Sequence, residues 1–97
     1  MTYSLTPTVT RSLAAPLGPG LDRYVKAIKP SLDEDQFGET ALRVWVLLDD
    51  RTPDVMSKRG SALIEKIRDA VRRRAAELVP ELWPYVSFRL ASELPAR

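Results

Sequence analysis

The side chains of this 97-residue chain that could do chemistry are acids, arginines and aromatics, because it has no His and no Cys. That absence removes the usual zinc and haem ligands, every disulfide, the Cys nucleophile and the imidazole base of a Ser or Cys triad. Asp33-Glu34-Asp35-Gln36-Phe37-Gly38 begins like a calcium loop, with acids at positions 1 and 3 and Gly at position 6. Position 5 is Phe37, however, and position 12, which should be a bidentate Glu, is Val44. A solvated acid cluster at a turn is the better reading. Asp49, Asp50 and Asp54 stand where a strand end meets the next helix, the place where open α/β sheets put ligands and where magnesium needs only one or two carboxylates. No glycine-rich phosphate loop accompanies them, and acids there also stabilise a helix N-terminus through its dipole. No metal and no cofactor is expected, and no catalytic residue is assigned.

Arg72, Arg73 and Arg74 form the densest basic run and are possible basic contacts for nucleic acid. Placed at 100° intervals on a helix, they point in three directions. Asp69 and Glu77 lie three or four residues from Arg72 and Arg73, so an ion-paired, solvated face is expected there. Arg74 falls on the apolar stripe of the same helix and is expected to snorkel off its edge. A second set is more informative. Arg43, Trp45 and Leu47 share one face of a strand, and Tyr85 and Arg89 share one face of another. Mixed aromatics and arginines on a sheet suit stacking with single-stranded RNA, and equally suit a protein interface.

The elements that position these residues follow from periodicity and punctuation. Residues 2 to 10 alternate apolar and polar, which predicts an N-terminal strand, with Pro7 confining it to an edge. The Pro- and Gly-rich stretch 14 to 20 predicts a flexible linker. Leu21, Tyr24, Val25 and Ile28 fall at helical spacing and Pro30 closes that segment, and Ser31 with Glu34 predicts one further turn to Gln36. Residues 41 to 48 are apolar on both faces, as in a central strand. Thr52-Pro53-Asp54 reads as N-cap, Pro at the first helical position and a first-turn acid, opening a long helix to about Val79. Its stripe is Met56, Gly60, Leu63, Ile64, Ile67, Val71, Ala75 and Leu78. Val86, Phe88 and Leu90 make one face of a last strand, and the tail from Ser92 is expected to be loose.

This order predicts an α+β two-layer sandwich: an approximately three-stranded mixed sheet with one long and one short helix on one face. Residues 1–20 form an edge strand and arm, and 21–97 a single domain. The strand, long helix, strand unit should be parallel.

Charge adds little. Fifteen bases against 13 acids give +2, far from the dense basic footprint of a dedicated nucleic-acid binder. The excess is uneven along the chain, with +3 in residues 1–32, −5 in 33–50 and +4 in 51–97. No stretch approaches a membrane span and no secretory leader is visible, so a cytoplasmic protein without a membrane partner is expected.

The strand, long Arg-rich helix, Val79-Pro80-Glu81-Leu82 and final Val86-Ser87-Phe88-Arg89 strand resemble the closing half of ribosome-binding factor A, a KH-type RNA-associated fold. The KH glycine turn between two helices is missing, as is a second strand ahead of Ala41. The same ending resembles the cytoplasmic domain of cation-efflux proteins, whose metal-binding His positions are absent. A pattern that fits both families identifies neither. The expectation is therefore a non-catalytic interaction or assembly module, a homodimer formed through the sheet face of Arg43, Trp45, Leu47, Tyr85 and Arg89. RNA binding is the alternative.

Overall fold

The structure is a computed structural model that describes residues 4–54 and 56–93. Its order is helix α1 (Pro7–Leu13), strand β1 (Val25–Glu34), strand β2 (Thr40–Leu48), helix α2 (Lys58–Leu78) and strand β3 (Pro84–Leu90). Short 3-10 turns occupy Asp22–Tyr24 and Ala91–Glu93. The sheet order is β1-β2-β3, with β1 antiparallel and β3 parallel to β2. The fold is thus the expected α+β sandwich with a mixed three-stranded sheet, but two of its elements are not where periodicity put them.

The N-terminal edge strand expected over residues 2–10 is replaced, from Pro7 onward, by α1. Residues 1–3 lie outside the described residues. Thr6 is the N-cap, its Oγ1 accepting from the Val9 N–H at 3.1 Å, and Pro7 occupies the first turn where its missing N–H costs nothing. Leu13 is buried in the core with Ile67 and Val71 of α2. The linker is held by hydrogen bonds: Asp22 Oδ1 accepts from the Leu17 N–H at 2.7 Å and from that of Gly18 at 3.2 Å.

The helix expected over 21–28 is one 3-10 turn followed by β1. After a bulge at Lys26, Ile28, Pro30 and Leu32 alternate with Lys29, Ser31 and Asp33, opposite Val46, Val44 and Leu42 of β2. Pro30 does not stop the strand, for a geometric reason. The Leu42 N–H donates to the Trp83 carbonyl at 3.1 Å, which turns Leu42 toward β3. Ladder alternation then turns Arg43, Trp45 and Leu47 toward β1, opposite Ser31, Lys29 and Ala27. Pro30 sits between these positions, where a backbone N–H would point to solvent from the edge, so no ladder bond is lost.

The predicted helical turn at 32–36 is instead the end of β1 and a hairpin. Asp35 Oδ1 accepts from the N–H groups of Phe37 (2.8 Å) and Glu39 (3.0 Å), and Gly38 takes φ +76°. Only Gly adopts that conformation without strain.

The long helix starts five residues later than Thr52-Pro53 predicts. Ser57 is its N-cap, accepting from the Gly60 N–H at 3.0 Å, while the Thr52 hydroxyl donates to the Tyr24 carbonyl at 3.3 Å. Met56, placed on the stripe, is outside the helix and 89% exposed. Ile67, Val71 and Ala75 bury against Ile28, Leu42, Val44, Val46 and Leu48. A Cβ on Gly60 would come within 1.9 Å of the Asp54 carbonyl oxygen, so the connecting loop crosses the first turn where only Gly leaves room. The described part of the tail after Ser92 is a 3-10 turn. No helix among the described residues is long and apolar enough to cross a membrane.

Candidate functional site

Alternation along β2 sends Arg43, Trp45 and Leu47 to the face opposite α2. The register sets Tyr85, Ser87 and Arg89 of β3 on one side of them and Ser31, Lys29 and Ala27 of β1 on the other. The five residues expected to share an open face, Arg43, Trp45, Leu47, Tyr85 and Arg89, are therefore neighbours. α1 lies in the helical layer instead, so no described element covers this side.

The face is partly self-organised. Arg43 Nε stands 3.5 Å from Asp33 Oδ2, and its Nη1 donates to Ser87 Oγ at 3.4 Å. The Arg89 guanidinium lies over the Trp45 ring, 5.1 Å from its centroid, a cation–π contact. Leu47 is only 6% exposed in the single chain, between Ala27 and Arg89. Trp45 and Tyr85 remain half-buried. At the hairpin end a pocket of about 270 Å³ is lined by Asp33, Glu34, Asp35, Arg43 and Tyr85. At the opposite end stand Arg89 on β3 and, just beyond β2, the Asp49–Arg51 ion pair.

The arginine run divides as its helical spacing requires. Arg72 and Arg73 are exposed, but neither forms the expected ion pair with Asp69 or Glu77. The Arg72 guanidinium instead lies 6.0 Å from the centroid of the Trp83 ring. Arg74 neither snorkels nor meets an acid. Its Nη2 donates to the Pro16 carbonyl at 2.7 Å and its Nη1 to the Ala15 carbonyl, tying the segment after α1 to α2. A guanidinium fork suits two adjacent carbonyls, which the sequence places nearly sixty residues away.

Asp49 is engaged by its neighbour. Its Oδ1 accepts from both Nε and the backbone N–H of Arg51 at 2.9 Å. These hydrogen bonds hold its carboxyl down at about 2, which makes it a fully ionised group and a poor base. Asp54 Oδ1 accepts from the Met56 N–H at 2.9 Å. Among the described residues no three acids gather to hold a metal.

Sequence reasoning missed a groove of about 670 Å³ between α2 and β3, lined by Ile64 and Arg68 on the helix, by Val86 and Phe88, and by Asp50 and Asp54 at one end. The Arg68 guanidinium lies 5.3 Å from the Phe88 ring centroid and pairs with Glu65. The apolar alternation of Val86 and Phe88 was the available signal, but it marks a face and not which edge stays open. The strand absent from the sequence reading ahead of Ala41 is β1, whereas α2 runs unbroken to Leu78 with no glycine turn into a further helix. Comparison with protein-family models, curated proteins and solved structures finds no match.

Proposed function

We propose that the protein is a non-catalytic assembly module that self-associates through the open face of its sheet. The observation that carries this reading is that the face bearing Trp45, Tyr85, Arg43 and Arg89 has no cover among the described residues, since α1 packs on the other side. The alternative, a stacking platform for single-stranded RNA, needs aromatic faces and cations that are free. Here Arg89 occupies the Trp45 ring, and Arg43 is held by Asp33 and Ser87. Trp, Tyr and Arg stacked in this way are instead the anchors typical of protein interfaces.

Charge orients the pair. A two-fold axis along the strands would set the acidic hairpin ends on each other. An axis across the strands reverses their direction and keeps the two Asp33–Asp35 hairpin ends apart. Three strands spaced about 4.8 Å apart and roughly 20 Å long give a footprint of roughly 300 Å². Stable dimers bury about 800 Å² per partner, so this contact belongs to the weak, transient class.

Sedimentation of the wild type from micromolar to millimolar concentration should show reversible association, and Trp45→Asp should weaken it by the share that the open face contributes without unfolding the chain. A wild type monomeric throughout overturns the reading. Tight, salt-dependent RNA binding lost in Arg43→Ala/Arg89→Ala would establish the alternative.

A further inference from the structure

The two edges of the sheet are built differently. The β1 edge carries a bulge at Lys26, Lys29, and Pro30 with no outward N–H, the devices by which proteins prevent strand addition. β3 has a proline only at its first residue, and no bulge interrupts its register with β2. Because the Trp83 carbonyl accepts from Leu42, alternation turns Tyr85, Ser87 and Arg89 toward β2 and leaves the N–H and C=O groups of Val86 and Phe88 pointing out from the edge. Among the described residues the sheet ends there.

We propose that this edge pairs with the β3 edge of a second copy, antiparallel about a two-fold axis at Ser87, giving a continuous six-stranded sheet. The register is self-complementary. Centred on Ser87, Val86 of each copy stands opposite Phe88 of the other, and these are the residues whose backbone groups face outward, so all four outward pairs of groups are used. On the helical side, the Val86 and Phe88 side chains of one copy complete the groove of the other beneath Ile64. Charge agrees with this direction. Arg72, over Trp83 at the start of β3, is carried toward the far end of the second copy's groove, where Asp50 and Asp54 line it. A parallel arrangement would set like ends together. The inference goes beyond the open-face reading and does not depend on it.

The test uses the absence of native Cys. Directly opposed, non-hydrogen-bonded residues of antiparallel strands have Cα atoms about 4.5 Å apart, within disulfide reach. Sheets stacked face to face lie about 10 Å apart, which is out of reach. Ser87→Cys under mild oxidation at tens of micromolar should give a disulfide-linked dimer, and should do so equally in a Trp45→Asp background. Tyr85→Cys alone should not cross-link, whereas mixed with Arg89→Cys it should give the heterodimer that the register requires. Ser61→Cys, on the exposed side of α2, is the collision control. If Ser87→Cys cross-links no faster than Ser61→Cys, edge pairing is wrong whatever Trp45→Asp does to association. If Tyr85→Cys cross-links with itself as readily as Ser87→Cys, the register is wrong.

Discussion

The same three strands present two faces that differ in what holds them. On the helical side Leu42, Val44, Val46 and Ile67 are all fully buried, and every contact is apolar and shared among several elements. On the other side Arg43 and Trp45 are half-buried, Arg43 held by Asp33 and Ser87 and Trp45 by a cation–π contact from Arg89. Burial of apolar area is worth about 25 cal/mol per Å², while exposed ion pairs are worth about 0–1 kcal/mol. The covered face therefore carries the stability of the fold. On the open face only the half-buried polar positions such as Arg43 can be altered with little penalty, since Leu47 there is also buried.

Substitution on the covered face should have the largest effect. Leu42→Ala and Ile67→Ala should each cost about 2–5 kcal/mol through lost burial and the cavity left behind. Denaturant melts check this, and a loss below about 0.5 kcal/mol would place these residues on a surface. Gly60→Ala should follow, at about 1–3 kcal/mol, because the added methyl meets the Asp54 backbone and the loop must move. Arg43→Ala, one residue from Leu42 on the opposite face, should cost no more than about 1 kcal/mol. If its melt shifts as far as that of Leu42→Ala, the contrast between the faces fails.

The smallest effect lies off both faces, at the end of β2. The folded Asp49 carboxyl is lowered from 3.8 to about 2 by the hydrogen bonds from Arg51. Its stabilising contribution is complete above the unfolded value and is lost as pH falls from about 4 through about 2. Stability measured across that window should fall less steeply in Arg51→Ala than in the wild type.

Local signals succeeded where burial and periodicity agree and failed where one signal has two outcomes. Residues 41–48 were legible as a central strand because both faces are apolar, and 58–78 as a helix because Ile67, Val71 and Ala75 repeat at its period. Threonine followed by proline occurs twice. Thr6-Pro7 opens α1, whereas Thr52-Pro53 lies in a loop, because the Thr52 hydroxyl is spent on the Tyr24 carbonyl and Ser57 supplies the cap. The alternation of residues 2–10 lost to a cap and to the core space that Leu13 fills.

From residue types and spacing alone came the α+β class, the central strand, the core side of the long helix and the set of residues sharing the open face. Those follow from side-chain direction along a single element, which needs no partner. Only the tertiary structure decided that Pro30 lies inside a strand, since its missing N–H is harmless at an edge and harmful elsewhere. The same holds for Arg74, which binds the carbonyls of Ala15 and Pro16, and for Asp35, whose carboxylate closes a hairpin. In each case the outcome depends on backbone groups brought together by the fold. A hydrogen bond is decided by where its partner ends up, not by the residue that offers it.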